Sequence, residues 1–269
     1  VASLGELTEK YVEALEGMKS SYTKSGEIEI ALAVSAEIEM HKSAGKAIAK
    51  PVLVTIESLP KLLQTGLMIW FPLNEKEGGT VSGMGREDWL GTLIGTTYSP
   101  EGAMGGARRF NGIADRINLG KGIPDSDRFT VSVWVKTDAK QTKGGIFSDY
   151  DGKGGNDVML ALVGNQSVHI RADKSGDTLR AILPISRALT SNWHHLVWVM
   201  DGRDSIIYLD GEEVGRHEEE GSNKGFHGAY LGYANDLQSW SYFEGELDEF
   251  MMWNRPLDEE EIRNLISLY

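Results

Sequence analysis

The strongest constraint on the fold is the stretch Trp193–Gly211, which has the pattern of a buried β-hairpin. Trp193–Met200 carries large or apolar side chains at nearly every position, which predicts a strand covered on both faces. Asp201–Asp204 supplies turn chemistry, including a glycine that can adopt positive φ. Ile206–Leu209 is then a β-branched and aromatic return strand, and Asp210-Gly211 makes the next turn. This hairpin is therefore predicted to lie at the centre of a sheet.

The rest of the chain after Gly66 also has the two-residue period of strands. Phe129, Val131, Val133 and Val135 alternate with more polar residues, which predicts one core face and one wetter face. Glycine, asparagine and aspartate clusters separate further short strands, which are predicted around Val158–Val163, Val168–Ala172, Leu179–Leu183, Tyr230–Ala234 and Leu247–Trp253. Many short strands at regular spacing predict an antiparallel two-sheet sandwich rather than βαβ units.

The first 50 residues have a different period. Their apolar residues recur at spacings of three and four, first at Leu4, Leu7, Tyr11, Leu15, Met18 and Tyr22, and again at Ile28, Ala31, Leu32 and Ile38. Ser25-Gly26 separates the two stripes, so residues 1–50 are predicted to form an α-helical hairpin. Residues 51–65 are interpreted as a linker, residues 66–269 as the β domain, and Leu257–Leu268 as a closing helix.

Charge and composition exclude several functions. The formal net charge of −13 argues against nucleic acid, and against anionic membrane surfaces or strongly acidic polysaccharides bound over the whole surface, but it does not exclude a local basic patch. The chain has no cysteine, which excludes disulfides, cysteine nucleophiles and thiolate metal sites. No apolar run reaches the roughly 18 residues of a membrane span.

Several motifs carry a resemblance to one superfamily. W-H-H-x-x-x-x-x-D-G at Trp193–Gly202 is followed by Y-L-D-G, and Phe129–Val135 is similar to an "FTisaWv" strand. Arg109–Gly112 resembles an "FdG" corner, and Phe243–Phe250 resembles an "f-x-G-x-i-D-E" strand. Together these motifs resemble the laminin G-like, concanavalin A-like lectin and glucanase jelly rolls. The resemblance implies a mainly β, two-sheet antiparallel jelly-roll sandwich over residues 66–269, preceded by the helical hairpin. It also implies an extracellular or periplasmic protein whose signal peptide has been removed.

The resemblance further implies a structural Ca²⁺ ion. In this superfamily an aspartate on the last long strand often joins main-chain oxygens of the opening strand and of the "FdG" corner, which here indicates Asp248 with Asn111, Gly112 and the segment Pro72–Asn74. Calcium takes six to eight oxygen ligands and accepts carbonyls readily. The alternative is that Asp248 only caps backbone donors.

Three groups of residues are candidates for ligand binding. Trp240 lies among small polar residues, so we expect it in a loop where it stacks on a sugar ring, together with Tyr242, Asn235 and Asp236. A second polar loop contains Asp149, Tyr150 and Asp151, and His169 and Arg171 share one face of a short strand. The alternative interpretations are an Asx-rich turn for the second loop and a solvated sheet face for the histidine and arginine.

Catalysis is weakly supported. Glu244, Glu246 and Asp248 project from one strand face, as the acids of glucanases with this fold do, and retaining glycosidases need two carboxyls about 5–5.5 Å apart. The second glutamate of the glucanase pattern is missing after Asp248.

The sequence thus favours a non-catalytic extracellular module that binds carbohydrate or a glycosylated surface. The alternative is a protein-interaction or adhesion module that docks through the helical hairpin. A glycoside hydrolase is a third interpretation.

Overall fold

The computed structural model describes most of the β domain and a short part of the N-terminal segment. The described residues are 13–21, 24, 55–86, 88–120, 126–137, 143–149, 158–174, 177–185, 189–219, 228–236 and 239–269. The chain divides into two compact units, Val1–Val54 and Thr55–Tyr269. In the first unit residues 13–21 are helical, which agrees with the spacing of Leu15 and Met18. The rest of the predicted helical hairpin lies outside the described residues.

The larger unit is built almost entirely of strands. They are β1 (Leu67–Phe71), β2 (Thr80–Gly85), β3 (Trp89–Ile94), β4 (Thr97–Ser99), β5 (Ala107–Asn111), β6 (Arg116–Asn118), β7 (Arg128–Lys136), β8 (Gly144–Asp149), β9 (Val158–Val163), β10 (Ser167–Lys174), β11 (Asp177–Pro184), β12 (His194–Asp201), β13 (Asp204–Leu209), β14 (Glu212–Glu218), β15 (Ala229–Leu231), β16 (Tyr233–Asp236), β17 (Ser239–Tyr242) and β18 (Glu244–Trp253). A 3-10 turn (Ile56–Ser58) and helix α1 (Lys61–Gln64) precede them, and helix α2 (Glu259–Ile266) follows.

The strands form two layers of antiparallel pairs. The first layer has the order β14-β13-β12-β7-β18-β1, with β5 and β4 continuing from one end of β18. The second layer has the order β11-β10-β9-β8-β15-β6-β3-β2, and the β1–β2 pair joins the two layers. Alternate side chains of both layers meet in one core, with Val133 and Leu196 from the first layer and Leu160 and Ile170 from the second. This confirms the predicted jelly-roll sandwich.

The hairpin predicted at Trp193–Gly211 lies inside the first layer. β12 pairs with β7 on one side and β13 on the other, with Leu196 opposite Leu209 and Trp198 opposite Ile207. Trp198 is wholly buried and packs edge-on against Phe129, with 4.9 Å between ring centroids. Trp198 on one face of β12 belongs to the core between the layers, and Val197 and Val199 on the other face are also buried, as the apolar run predicts.

Residues 55–65, which the sequence analysis assigned to a linker, belong to the larger unit. Leu59 and Leu63 are buried, and the Trp253 indole donates to the carbonyl of Leu63 at 2.7 Å. The Arg255 guanidinium donates to the carbonyls of Leu62 and Thr65. These contacts hold the segment against the end of β18.

The closing helix is shorter than its apolar pattern predicts. α2 begins after Asp258, whose side chain accepts from the Glu261 N–H while the Glu261 side chain accepts from the Asp258 N–H. This capping box fixes the first residue of the helix at Glu259. None of the helices in the described ranges combines the length and the apolarity that crossing a bilayer requires.

A small second hairpin lies on the outer face of the second layer. The single strand predicted at Tyr230–Ala234 is divided by Gly232, which has a φ of +76°. The chain beyond it forms the β16–β17 hairpin, and Ala234 packs with Met159 and Ala161. Gly145 permits this approach, since a Cβ there would lie 2.2 Å from the Ala234 nitrogen.

Candidate functional site

Three tyrosines meet where the β16–β17 hairpin leaves the second layer. Tyr230 on β15 stands edge-on to Tyr233 with centroids 5.5 Å apart, and Tyr233 lies 5.0 Å from Tyr242 across the hairpin. Tyr233 is buried, whereas Tyr230 and Tyr242 are half-buried. We call Tyr230, Tyr233 and Tyr242 the tyrosine cluster. Its middle ring is fixed by packing, and its outer two rings reach the surface.

An open polar strip adjoins the tyrosine cluster. The strand register places Thr80 opposite Thr92, Thr92 opposite Asn118, and Asn118 opposite Tyr230. We call Thr80, Thr92 and Asn118 the polar strip. Both threonines are exposed and Asn118 is half-buried. A flat surface of hydroxyl and amide groups therefore ends at an aromatic edge.

The inward residues of the same strands set the direction of the strip. Val81, Gly91, Ile117 and Leu231 alternate with the outward residues and are buried. Successive residues of a strand point to opposite faces, so burying the apolar set turns the threonines and the asparagine outward. The Asn118 side-chain oxygen accepts from the Gly120 N–H at 2.8 Å, which orients the amide.

Of the residues predicted in the loop around Trp240, Tyr242 lies in this site. The segment is a two-stranded hairpin rather than the expected loop, because Asn235 pairs with Trp240 and Asp236 with Ser239. The side chains of residues 235–240 lie outside the described part of the structure. Asn235, Asp236 and Trp240 thus follow Tyr233 and Tyr242 along the same hairpin, and their roles stay predictions.

Asp149 does not lie in a surface loop as predicted. It is the last residue of β8, it pairs with Val158 and Ala229, and it is only 1% exposed. The ladder continues through this position, which draws the carboxylate into the protein. Tyr150 and Asp151 lie outside the described residues.

His169 and Arg171 share a face of β10, as predicted, but that face is covered. Their exposed fractions are 5% and 2%, so they neither line an open surface nor point into solvent. Their neighbours on β9 are Ala161 and Met159, the residues against which the second hairpin packs. Sequence reasoning gave no sign of this extra layer.

The acidic residues of β18 differ sharply in exposure. Glu244 is exposed, whereas Glu246 and Asp248 are 4% and 0% exposed. The Glu246 carboxylate forms an ion pair with Arg109, accepts from the Ser99 hydroxyl at 3.0 Å, and lies 3.7 Å from the Lys136 ammonium. Only Glu244 of the three is open to a ligand, whereas a glycosidase pair needs two accessible carboxyls.

The Asp248 carboxylate accepts hydrogen bonds from backbone N–H groups. One of its carboxylate oxygens accepts from Met104 N–H at 3.0 Å, and the other accepts from Glu249 N–H at 2.9 Å. Burial and, to a smaller extent, the neighbouring Glu249 carboxylate raise the pKa of Asp248 to about 8. The arrangement matches the alternative in which Asp248 caps backbone donors.

The predicted calcium ligands do not form one site. Asn111 pairs with Glu244, four residues before Asp248 on β18, which separates them by about 13 Å at 3.3 Å per residue. The Asn111 side-chain oxygen accepts from the N–H groups of Ile113, Ala114 and Asp115, and Gly112 N–H donates to Phe243. Asp248 is therefore not grouped with Asn111 and Gly112. One loop donates both to Asp248, from Met104 N–H, and to Asn74, from Gly106 N–H, so the opening-strand part of the predicted set lies beside Asp248 and calcium binding there stays a prediction. Within the described residues no three metal-ligating side chains cluster.

The sequence analysis missed most of the site. Tyr230, Thr92 and Asn118 were not predicted as ligand-binding residues, although each occupies an outward position between buried apolar neighbours. The alternation of polar and apolar residues indicates which face of the strand these three residues occupy. It does not signal that the strands carrying them are neighbours.

Comparison with known proteins agrees with this architecture. The sequence profile of the concanavalin A-like lectin/glucanases superfamily matches residues 108–263, more than half of the chain. The chain belongs to the concanavalin A-like lectin/glucanases superfamily. The resemblance deduced from the motifs is thus confirmed.

Curated proteins with similar sequences include two neuronal pentraxins. Neuronal pentraxin-2 of Cavia porcellus is 26% identical over 157 residues, which cover 55% of this chain and 36% of that protein. Human neuronal pentraxin-1 is 27% identical over 160 residues, covering 55% of this chain and 35% of that protein. The chain thus spans about a third of the length of the curated relatives it matches.

Solved structures share the fold at low identity. Domain 4 of AbnA, a GH43 extracellular arabinanase from Geobacillus stearothermophilus, in complex with arabinotriose, is 20% identical with a TM-score of 0.55, covering 74% of this chain and 98% of that one. The binding domain of Paraclostridial Mosquitocidal Protein 1 is 15% identical with a TM-score of 0.60, covering 77% and 53%. The binding domain of botulinum neurotoxin DC in complex with SialylT is 9% identical with a TM-score of 0.60, covering 76% and 51%.

Proposed function

We propose that this protein is a non-catalytic, lectin-like module that binds carbohydrate outside the cytoplasm. The observation that carries the proposal is the tyrosine cluster standing beside the polar strip. In this proposal a glycan lies along the polar strip and packs a sugar ring against Tyr242 or Tyr230.

The chemistry of the two surfaces suits a sugar. A pyranose ring offers an apolar C–H face and a rim of hydroxyls that donate and accept hydrogen bonds. Half-buried tyrosines present a ring for the apolar face and a hydroxyl for the rim. The threonine hydroxyls and the Asn118 amide both donate and accept, so they can satisfy hydroxyls in several orientations.

The solved complexes add support of a different kind. The arabinanase domain, 98% of which matches this chain, holds arabinotriose, so this fold carries a glycan in another protein. The match to the neurotoxin binding domain, solved in complex with SialylT, covers 51% of that chain. The fold alone does not assign the site in this protein. The assignment rests on the tyrosine cluster and the polar strip.

The state of the acids supports binding without hydrolysis. Glu246 is held by Arg109 and Ser99, and Asp248 is buried and accepts from N–H groups, so neither is accessible as a second catalytic carboxyl on β18. A mechanism with two carboxyls therefore lacks its second group on this strand.

Trp240 and Asn235 extend the proposed site along the hairpin. Their backbones pair directly beyond Tyr233 and Tyr242, so the hairpin carries the predicted stacking residue next to the tyrosine cluster. We propose that Trp240 supplies the second stacking ring.

A glycan array followed by calorimetry with the best neutral glycan tests the proposal. We expect Tyr242→Ala, Trp240→Ala and Asn118→Ala each to weaken binding about tenfold, because losing one stacked ring or one hydrogen-bonded amide costs about 1.4 kcal/mol. Leu62→Ala is the control, since Leu62 is 53% exposed on α1 and far from the site in sequence.

Two results would overturn the proposal. One is the absence of glycan binding by protein that melts cooperatively. The other is glycan binding that all three site variants retain. Binding of a protein ligand that is lost on removing residues 1–50 would favour the alternative docking role of the helical hairpin.

A further inference from the structure

A second cleft lies on the outer face of the first layer. It encloses about 590 Å³, within the range of small-ligand sites, and it is lined by β5, the beginning of β18, the end of β7 and the segment before β12. Its walls contain parts of two of the motifs that carry the resemblance, Arg109–Asn111 and Glu244–Glu246. We call it the Glu246 cleft. It belongs to the other layer from the tyrosine cluster, so the two sites are separate.

At one end of the cleft, two cationic side chains lie beside the buried carboxylate of Glu246. Glu246, whose side chain is 5% exposed, holds Arg109 by an ion pair and lies 3.7 Å from the Lys136 ammonium. The Lys136 ammonium also lies 5.7 Å from the centre of the Trp193 ring, and the Trp193 indole is fixed by donating to the carbonyl of Glu101. Two cations thus share one carboxylate and are held in place before any ligand arrives.

These cations still have capacity for a ligand. The Arg109 side chain is 63% exposed, so most of its five N–H groups face solvent. Within the described residues, the Glu246 oxygen at 3.7 Å is the nearest partner recorded for the Lys136 ammonium, which is beyond a good hydrogen bond. A second anion beside Glu246 would balance the charge of this pair.

The other end of the cleft has the opposite character. Glu244 and Asp115 line it, and Glu244 lies two residues from Glu246, about 6.5–7 Å along the strand. The exposed residues Thr97 and Ser191 add hydroxyls to the walls. The cleft is therefore cationic at one end and acidic at the other, with neutral hydroxyls as well.

This polarity selects a class of ligand. A sugar acid carries a carboxylate at one end of its ring and hydroxyls several ångströms away, so it can pair with the cations and donate to the acids at once. A polyanion would meet Glu244, Asp115 and a net charge of −13. A neutral sugar supplies no second anion for the two cations, which share the single carboxylate of Glu246. We propose that the Glu246 cleft binds the carboxylate-bearing ring of an acidic sugar, of the hexuronate type.

Two matched probes test this inference. Methyl β-glucuronide and methyl β-glucoside differ only in the carboxylate at C6, and each is titrated into the full chain by calorimetry. We expect the glucuronide to bind at least about tenfold more tightly, because a charge-assisted hydrogen bond contributes about 1.5–3 kcal/mol. Its affinity should fall with added salt.

Variants locate the site. Lys136→Gln and Arg109→Gln should each weaken glucuronide binding about tenfold. Arg128→Gln is the matched control, since Arg128 is equally exposed at 63% and forms a surface ion pair with Asp201. Because Arg109→Gln removes a partner of the buried Glu246, its melting curve is compared with that of Lys136→Gln, whose contact is longer.

The outcomes separate this cleft from the tyrosine cluster. Glucuronide binding that Tyr242→Ala leaves unchanged supports the inference even if no neutral glycan binds. Equal binding of glucuronide and glucoside would overturn the inference, as would retained glucuronide binding in Lys136→Gln or equal competition by acetate. The absence of glucuronide binding at about 10 mM would also overturn it, because that concentration detects affinities weaker than the millimolar Kd that corresponds to about 4 kcal/mol.

Discussion

Replacing His195 should change how the stability of this protein depends on acid. His195 is 1% exposed on β12, its Nε2 is 2.7 Å from the Ser132 hydroxyl, and its ring lies against Trp134. Within the described residues its Nδ1 has no hydrogen-bond partner. Burial lowers the pKa of His195 from 6.5 to about 4, although attraction to Asp210 opposes the change.

The size and sign of the effect follow from this pKa. A histidine that stays neutral in the folded state binds fewer protons than it does unfolded, so stability falls as the pH falls below 6.5. The fall continues to about pH 4, where it reaches about 3 kcal/mol at 1.36 kcal/mol per pKa unit. A variant whose residue at this position cannot titrate does not lose stability in this way.

The variant for the test is His195→Gln, whose amide can still bond to Ser132. Urea unfolding at pH 7, 6, 5 and 4 gives the free energy of unfolding of both proteins. We expect any advantage of the native protein at pH 7 to shrink by about 3 kcal/mol at pH 4. A difference that stays constant across the series would refute the reasoning. NMR titration of the imidazole protons checks the pKa directly.

Two further predictions concern how residues 55–65 and α2 are held. Leu63→Ala should lower the free energy of unfolding by about 3 kcal/mol and Leu62→Ala by less than about 0.5 kcal/mol, because Leu63 is 1% exposed and Leu62 is 53% exposed. Equal effects of the two substitutions in urea unfolding would show that residues 55–65 act as a linker. Arg255→Lys should cost about 2 kcal/mol, since the guanidinium bonds both oxygens of Glu261 and the carbonyls of Leu62 and Thr65. Arg263→Lys, in an exposed pair with Glu259, should cost less than about 0.5 kcal/mol in the same assay, and a cost equal to that of Arg255→Lys would contradict the argument.

The strands were predictable because they leave local signals. The run at Trp193–Met200 and the alternation at Phe129–Val135 depend only on which side chains avoid water, and both became core strands. The break at Gly232 was missed because a glycine inside a strand pattern is ambiguous until the neighbouring backbone is known. The docking of residues 55–65 was missed because a short apolar segment carries no sign of its partner.

The candidate sites were predictable only in part. Tyr242 was predicted only as a neighbour of Trp240, whose own polar neighbours make it poorly placed for a core. Asp149, His169 and Arg171 could not be placed, because each is buried by strands or a hairpin far away in sequence. The grouping of Asn111 with Asp248 was wrong for a related reason, because strand register separates the two residues.

The sequence by itself determined the mainly β class, the central hairpin and the superfamily, because apolar periodicity and turn residues act over a few neighbouring positions. The tertiary structure alone decided that Thr92, Asn118 and Tyr230 form one row, and that Arg109 and Lys136 share Glu246. Those groupings arise from the pairing of strands distant in the chain, and strand order depends on the global packing of both layers rather than on any local preference.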